Sequence, residues 1–532
     1  MRIGVDVGGT NTDAVLIDGR HVVASTKRPT SADVSAGVTA AISDLLGEAG
    51  IAARAIGAVM IGTTHFTNAL VERRRLDRVG IIRLASPSGE ALPPLTGWPE
   101  TLARQIEGAT FLLRGGYEVD GREISPLDEA GLRTAAQACR DEGITSIAVS
   151  CAFAPVNAAM EERAAMLIAD AHPAARVSLS HSVGRLGLIE RENGTIINAA
   201  LATLAVQVVS SLGEALAALG ISAPLYISQN DGTLISAAEA ARYPVMTIGS
   251  GPTNSMRGAA FLTGVDNGIV MDVGGTTCDI GVLANGFPRE SSIAVDIGGV
   301  RTNFRMPDIL AIGLGGGTRI RLGAGDDDFV IGPDSVGYQI TEDSYLFGGA
   351  TLTASDIAVA AGKAAFGDAA RLPDLAPSLR DAIVARIQTM LADGIDRMKT
   401  ASGDATIIAV GGGHFLIEDD IKGAARVVRP EHAAVANAVG AAIAQVGAQA
   451  ERIVDYDAEP RPLALERMRE MLLARAVAAG ATKDSVEIVD MDEVFLSYLP
   501  GRSAQIRMKA VGDLAEDASL ANAAFTETRH AH

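Results

Sequence analysis

One unit of sequence occurs twice in this chain, and each copy joins an apolar strand to an aspartate and a glycine-rich turn. Residues 3–13 read IGVDVGGTNTD, and residues 269–279, half a chain length further on, read IVMDVGGTTCD. In both copies a second apolar run follows and ends at a hairpin signal, Asp18-Gly19 or Asn285-Gly286. Because self-similarity indicates a repeated structural unit, the sequence predicts two related halves that each open with an antiparallel meander.

The turn in each copy has the composition of a phosphate-binding loop. Paired glycines let backbone N–H groups approach phosphate oxygens, and the adjoining threonines add hydroxyl donors. An aspartate at the end of each strand, Asp6 and Asp272, suits a hydrated Mg²⁺ or Mn²⁺ ion that bridges phosphates. Other common glycine-rich nucleotide loops lead from a strand into a helix, whereas both copies lead into a second strand. A single D-x-G-G-T is equally an ordinary tight turn, but its duplication with matching hairpins favours two loops around one ATP.

Two hairpin phosphate loops in duplicated halves indicate the architecture of the actin-like ATPases, in which the nucleotide lies in a cleft between two lobes. The predicted fold is therefore α/β, with duplicated actin-like (ribonuclease H-like) lobes. A third glycine turn at residues 411–413 follows the apolar strand IIAV and is the predicted support for the adenosine. The predicted divisions are a first lobe at 1–195, a second lobe at 196–445, and a small C-terminal α+β region at 446–532.

Composition excludes several classes of function. The chain has 45 Lys and Arg against 64 Asp and Glu, a net charge of −19, which argues against binding to nucleic acid or to an anionic membrane. Three dispersed cysteines form neither a disulfide framework nor a zinc motif. The chain passes from Met1 directly into a strand, which leaves no room for a signal peptide, so we expect a cytoplasmic location. The uncharged stretch Thr195–Gly213 contains several polar residues and is predicted to be a buried core helix.

Beyond the fold, several segments resemble the A subunits of the hydantoinase/5-oxoprolinase family, over about residues 1 to 445. The most specific is IGTTHFTNAL at residues 61–70. The other matching segments are NAAL at 198–201, QNDG at 229–232, GSGP at 249–252, IGLGGGT at 312–318, GPDSVG at 332–337, TLTASD at 351–356 and NAVG at 437–440.

The resemblance implies ATP-dependent, hydrolytic opening of a cyclic amide or imide such as 5-oxoproline, a hydantoin or a lactam, or a related carbonyl activation. It also implies a separate B-type or other partner subunit, and a homo-oligomer or hetero-oligomer. Two other readings of the phosphate loops stay open. One is a small-molecule kinase of the same fold, which phosphorylates a hydroxyl. The other is a chaperone-like or reactivase-like ATPase that acts on a partner protein.

Candidate site residues fall into three groups. Thr63, Thr64 and His65 follow a predicted strand and are candidate catalytic residues, as is Asp13 in the first loop. The alternatives are helix capping for the threonines and the histidine, and a hairpin side chain that bonds its own backbone for Asp13 and its counterpart Asp279. Asp6 and Asp272 are the candidate metal ligands. The candidate nucleotide-binding residues are Gly8, Gly9, Thr10, Asn11, Thr12, Gly274, Gly275, Thr276, Thr277, Gly411, Gly412, Gly413 and, from the family resemblance, Asn437.

Overall fold

A computed structural model of the protein describes residues 1–30, 34–291, 295–303, 306–323, 328–496 and 501–515. Its strands are β1 (Arg2–Val7), β2 (Asn11–Asp18), β3 (His21–Pro29), β4 (Ala58–Thr63), β5 (Val79–Ser86), β6 (Glu107–Arg114), β7 (Ser146–Cys151), β8 (Arg176–Leu179), β9 (Leu225–Ser228), β10 (Thr233–Ser236), β11 (Gly268–Val273), β12 (Cys278–Ala284), β13 (Phe287–Pro288), β14 (Val295–Ile297), β15 (Val300–Thr302), β16 (Ile309–Ile312), β17 (Thr318–Leu322), β18 (Phe329–Ser335), β19 (Ala405–Val410), β20 (Ala424–Val428), β21 (Gln445–Asp455), β22 (Glu487–Phe495) and β23 (Ser503–Gly512).

Helices cover the sheets and connect their parallel strands. They are α1 (Val34–Ala49), α2 (His65–Val71), α3 (Glu100–Ile106), α4 (Glu129–Asp141), α5 (Ala159–Ala171), α6 (Leu188–Ala200), α7 (Ala202–Ala218), α8 (Ala237–Arg242), α9 (Ser250–Thr263), α10 (Ile340–Asp343), α11 (Ala354–Ala360), α12 (Pro377–Met398), α13 (Ala436–Ile443) and α14 (Arg461–Ala478).

The two sequence repeats open two sheets that have the same strand order. The first sheet contains the run β3-β2-β1-β4-β9, and the second contains β13-β12-β11-β19-β20. In each run the first three strands form an antiparallel meander. The last two strands are parallel to β1 in the first sheet and to β11 in the second. Asp6 lies opposite Asp13 in the first meander, as Asp272 lies opposite Asp279 in the second. The predicted α/β fold with duplicated lobes is confirmed.

The first sheet continues beyond its repeat unit through β10, β21, β23 and β22. Helix α14 packs on this extension through Leu465, Met468 and Leu472, which gives the C-terminal region its predicted α+β character. Strands β9 and β10 follow residue 195 in sequence and lie in the same sheet as β1. The boundaries at 195 and 445 stay a prediction, and residues 497–500 and 516–532 of the third region lie outside the described residues.

A separate four-stranded parallel sheet, in the order β6-β5-β7-β8, is inserted between β4 and β9. Polar residues 190–193 of α6 connect this helix to the inserted sheet and to the segment that follows β5. Arg83 on β5 donates to the buried carboxylate of Glu192 over 2.8 Å, and Trp98 donates to Asn193, also over 2.8 Å. Glu190 lies in the first turn of α6. The carboxylate of Glu192 is therefore occupied by a structural ion pair.

Among the described residues, no single helix is long and apolar enough to cross a membrane. In the described part of the chain, one pair of helices, α6 with α7, has the necessary length and composition when taken together, and the two are bent by 53° relative to one another. The segment Thr195–Gly213 spans these two helices, and its apolar side chains Ile196, Leu204 and Leu212 lie in the core.

Helices α9 and α13 cross in close contact between the two sheets. A Cβ atom on Gly440 of α13 would overlap the carbonyl oxygen of Asn254 on α9, and one on Gly258 of α9 would overlap the carbonyl oxygen of Ala436. Both glycines are therefore required by the distance between the helices and not by a turn.

We expect Gly440→Ala to lower the free energy of unfolding by about 1–3 kcal/mol, because the new methyl group meets backbone atoms that cannot move alone. Gly213→Ala is the matched control, since a Cβ there has open space around it within an exposed part of α7. That control should gain about 0.5–1 kcal/mol from helix propensity. Urea denaturation midpoints measure both, and a stabilised Gly440→Ala variant would contradict the close crossing.

Candidate functional site: paired hairpin loops

The two glycine-rich turns have the same backbone geometry and face each other. The N–H of Gly8 donates to the carbonyl of Asn11 over 2.9 Å, and the N–H of Gly274 donates to that of Thr277 over 2.8 Å. A Cβ on Gly275 would lie 3.1 Å from Oγ1 of Thr10, so the loops approach each other directly. The two loops therefore lie side by side where the first and second sheets meet.

Asp6, at the end of β1, is a buried carboxylate next to the first loop. Its Oδ2 accepts from Nδ2 of Asn437 over 3.0 Å, and its Oδ1 accepts from Nδ2 of Asn254 over 3.5 Å. Burial raises the pKa of Asp6 to about 7, and the negative charges of Asp13 and Asp272 add to this effect. A carboxylate in this environment is stabilised when a cation binds beside it.

Asp272, the equivalent residue of the second loop, is partly exposed to the cleft. The hydroxyl of Ser255 donates to its Oδ2, while burial raises the pKa of the carboxyl group. Asp279 lies opposite on β12, where burial and then the charge of Asp272 raise its pKa to about 7. The cleft therefore concentrates negative charge on the second lobe as well as on the first.

Two consecutive residues of α9, Asn254 and Ser255, hold the two loop aspartates, and the sequence analysis identified neither of these two residues. Asn254 contacts Asp6 in the first lobe, and Ser255 contacts Asp272 in the second. Gly62 on β4 makes room for this arrangement, because a Cβ there would overlap Oδ1 of Asp6 and lie 2.5 Å from Nδ2 of Asn254. The run of polar residues 253–255, directly after the GSGP segment of a core helix, is the sequence signal that could have identified them.

Asp13 makes its hydrogen bonds away from its own hairpin turn. Lys27 on β3 forms an ion pair with it at 2.6 Å, and Nδ2 of Asn437 donates to its Oδ2 over 3.0 Å. Asn437, predicted near the nucleoside, thus bridges the carboxylates of Asp6 and Asp13. Burial is the largest influence on the Asp13 carboxyl and raises its pKa, against the opposing effect of Lys27. The catalytic assignment of Asp13 stays a prediction.

Thr63, Thr64 and His65 lie at the end of β4, immediately beside the first loop. Thr64 is the residue that precedes α2, but its hydroxyl donates to the carbonyl of Val7 over 3.1 Å and makes no capping bond. The hydroxyl of Thr63 contacts Nδ1 of His65 and accepts the backbone N–H of His65 over 3.2 Å. Burial, and then the charge of Arg75, lower the pKa of His65 to about 4, so its imidazole is neutral at physiological pH.

The third glycine turn packs against the second loop. Gly411 has φ +84°, and a Cβ there would overlap Oδ1 of Asp272, so both its conformation and its contacts require glycine. The N–H of Gly413 donates to the carbonyl of Val273 over 2.7 Å. Gly412, between them, has open space around it.

The segment IGLGGGT at 312–318 supports the second loop from behind. The N–H of Gly316 donates to the carbonyl of Gly274 over 2.9 Å, and the N–H of Gly317 donates to that of Gly275 over 2.7 Å. These bonds hold the loop's carbonyls away from the cleft.

Comparison with known proteins identifies the family. The sequence matches the hydantoinase/oxoprolinase N-terminal region over residues 2–171 and the hydantoinase/oxoprolinase domain over residues 191–409. The chain is 29% identical to the caprolactamase alpha subunit of Pseudomonas jessenii over 76% of its own length, and spans 61% of that protein. It is 26% identical to the acetophenone carboxylase gamma subunit of Aromatoleum aromaticum over 68% of its length, and spans 53% of that protein.

Solved structures support the same fold. The ATP-dependent caprolactamase from P. jessenii superposes with a TM-score of 0.77 at 22% identity, covering 97% of this chain and 88% of that one. A nucleotide-free acetone carboxylase superposes with a TM-score of 0.67 at 19% identity and the same coverage. From the two matched regions, the paired loops and the shared fold, we conclude that this chain belongs to the hydantoinase/oxoprolinase family.

Proposed function

We propose that this chain binds ATP with Mg²⁺ or Mn²⁺ between its paired loops and uses it to phosphorylate the carbonyl oxygen of a cyclic amide or imide for ring opening. The observation that carries the proposal is the pair of loop aspartates, one from each lobe, held at one cleft by adjacent residues of α9. The ring would be a hydantoin, 5-oxoproline or a lactam.

The residues of the cleft fit a nucleotide with a divalent cation. Backbone N–H groups of Gly9 and Gly275 would bind phosphate oxygens, while Asp6 and Asp272 would hold the cation. Oδ1 of Asn254 is buried and has no hydrogen-bond partner within the described structure, so it can accept from a bound water. No three His, Cys, Asp or Glu side chains in the described ranges are arranged to hold a metal ion.

Phosphorylation answers a specific chemical problem. An amide carbonyl is a poor electrophile, and a phosphoryl group on its oxygen makes the carbon more electrophilic, so that water can add to it. Cleavage of the C–N bond in that adduct, with a proton passing to the ring nitrogen, opens the ring to an acyl phosphate, and a second water hydrolyses this to the acid and phosphate. ATP would supply that phosphoryl group, and a cation held by Asp6 and Asp272 would neutralise charge on its phosphates. The chain's own contribution is positioning and charge stabilisation: the loops orient the phosphates, and α9 fixes both aspartates relative to them.

A partner subunit is part of the proposal. The two curated relatives are named as an alpha and a gamma subunit, and this chain spans 53–61% of their lengths. We therefore propose that a separate subunit completes the ring opening after this chain has activated the carbonyl.

A second candidate function is activation of a ketone carbonyl for carboxylation. The relative named as an acetophenone carboxylase subunit and the solved acetone carboxylase, titled for ATP-dependent carboxylation, favour it. The same loops would serve both reactions, because a ketone is also activated by phosphorylation of its oxygen. The identity of the acceptor decides between the two.

Purified protein, with and without a candidate B-type partner subunit, is expected to turn over ATP faster when a cyclic amide is added. The panel contains hydantoin, 5-oxoproline and ε-caprolactam, with acetone and acetophenone plus bicarbonate as the ketone arm and glycerol and glucose as hydroxyl acceptors. Released ADP is measured by a coupled assay, and products by mass spectrometry. Stimulation by ketones alone favours the second candidate, and stimulation by hydroxyl acceptors alone, or by nothing, contradicts amide activation.

Asp6→Asn and Asp272→Asn should each reduce ATP turnover by about 100-fold or more, since each removes a charge that positions the cation at the phosphates. Asp18→Asn is the matched control, because Asp18 is exposed at the opposite end of the first hairpin. Steady-state kinetics with melting temperatures separates lost activity from lost folding. Full activity in either loop variant would remove that aspartate from the site.

Affinity for Mg²⁺-ADP should weaken as the pH falls below about 7, by roughly tenfold per pH unit, and level off above it. The sign follows from the raised pKa of Asp6, about 7, because a carboxyl group must lose its proton before it holds a cation. Asp279, with a pKa also raised to about 7, provides the control. In calorimetric titrations from pH 5.5 to 8.5, Asp279→Asn should keep the pH dependence of the affinity and Asp6→Asn should lose it. If Asp6→Asn keeps the wild-type slope, the pH dependence belongs to another group.

A further inference from the structure

A cavity of about 730 Å³ lies between the inserted parallel sheet and the extension of the first sheet. None of its lining residues belongs to either phosphate loop. Val156, Val183, Ile235 and Met246 provide apolar wall, and Gln229, Asn230 and Thr233 provide hydrogen-bonding groups. The lining also contains charged side chains, which are Glu162, Arg185, Glu239, Glu451 and Arg475. Such a mixed lining offers apolar surface to a small ring and polar groups to the amide that it carries.

The cavity opens at the same sheet edge as the first phosphate loop. Strands β1, β4 and β9 are mutually parallel, so the loop after β9, which contains Gln229 and Asn230, lies at the edge where β1 ends beside Asp6. The hydroxyl of Thr253 donates to the carbonyl of Asn230 over 2.9 Å, and the next residue, Asn254, contacts Asp6. A single stretch of α9 therefore links the cavity to the cleft.

His181 lines this cavity and is oriented by a buried carboxylate. Its Nδ1 lies 2.7 Å from Oε2 of Glu161, a residue of α5 whose side chain is fully buried. The hydroxyl of Ser180 donates to Oε1 of Glu161 over 2.5 Å, and the backbone N–H of His181 donates to Oε2 over 2.9 Å. A carboxylate that accepts from all of these groups selects the Nδ1–H tautomer, which leaves a lone pair on Nε2.

Nε2 of His181 is free to act on a ligand. Within the described ranges no protein group hydrogen-bonds it, and the imidazole stays partly exposed, at 20% of the side chain. The preceding residue, Ser180, is fixed from its other side by Nε of the buried Arg191 over 2.9 Å. The imidazole is thus held by a chain of buried polar contacts, with its basic nitrogen on the side opposite Glu161.

We propose that this cavity binds the cyclic amide and that His181 is the base that accepts the ring N–H proton as the carbonyl oxygen is phosphorylated. The inference rests on the function proposed above and adds to it the acceptor site and the proton acceptor. Glu161 is the positioning residue, which acts through His181.

The step balances with ATP as the only co-reactant. The N–H electron pair forms the C=N bond as the proton passes to Nε2 of His181. The carbonyl π electrons form the new bond from oxygen to the γ-phosphorus, and the bond between that phosphorus and the β–γ bridging oxygen breaks, so that ADP leaves. The products are ADP, protonated His181 and an imidate with a neutral nitrogen whose oxygen carries the phosphoryl group. His181 then returns its proton to solvent.

His181→Gln should lower the kcat for amide-dependent ATP turnover by about 100-fold or more, the usual contribution of a general base. The probes are hydantoin, 5-oxoproline and ε-caprolactam with their fully N-methylated counterparts, and the full chain is assayed with its partner subunit. Because an N-methylated ring has no proton to lose, His181→Gln should lower the turnover of those analogues by less than about threefold relative to the wild type. His21→Gln, at an exposed hairpin end, is the matched control, and melting temperature with ADP affinity checks folding.

Glu161→Gln should lower kcat about tenfold with KM unchanged, because the imidazole is still present but loses its carboxylate partner. If amides stimulate the wild type and His181→Gln keeps the wild-type kcat, or loses equal activity on N-methylated rings, the base assignment is wrong and the proposed function stands. If no cyclic amide stimulates the wild type, the proposed function and this inference fail together.

Discussion

The structure depends on the placement of carboxylates from two lobes at one cleft. Asp6 and Asp272 come from strands in different sheets, and each has a second aspartate directly opposite it in its own hairpin. Burial raises the pKa values of all four carboxyl groups, and neighbouring carboxylates raise those of Asp6, Asp272 and Asp279 further, which costs folding energy unless a cation is present. The only ion pair to any of the four within the described ranges joins Lys27 to Asp13. An arrangement that is unfavourable without a cation is expected of a site that binds one with its ligand.

Several glycines serve this one placement. Helix α9 must reach the first loop through Asn254 and the second through Ser255, and it can do so only if α13 crosses it at backbone distance. Gly258 and Gly440 permit that crossing, and Gly62 leaves space for the contact between Asp6 and Asn254. These three glycines are far apart in sequence, and none of them lies in a turn. Their common requirement is the absence of a side chain where backbone or a functional group already lies.

The features that could be predicted are those encoded locally. The repeat predicted both loops, both meanders and the pairing of each loop with an aspartate, because strand, turn and strand are contiguous in sequence. The partners of those aspartates could not be predicted, since Asn254, Ser255 and Lys27 reach them only through the tertiary fold. The inserted sheet was missed for a similar reason: its parallel strands pair across connections that contain helices, so periodicity shows the strands and not their order. His181 and Glu161 are brought together by the packing of α5 against the turn after β8.

The two loops are equivalent in sequence but not in environment, and this difference suggests how the cleft is used. Asp6 is buried and held by two asparagines, and its neighbour Asp13 is neutralised by Lys27. Asp272 is partly exposed and held by one serine, and no ion pair in the described part of the chain reaches Asp279. The carboxylates of the first lobe therefore have more protein contacts, whereas those of the second lobe are more open to solvent. Because the cavity beside Asn230 opens along the edge of the first lobe's sheet, the loop whose aspartates have more contacts lies next to the proposed acceptor. A phosphoryl group can be transferred only when acceptor and phosphorus are fixed relative to each other, so this side of the cleft is where the acceptor is best placed.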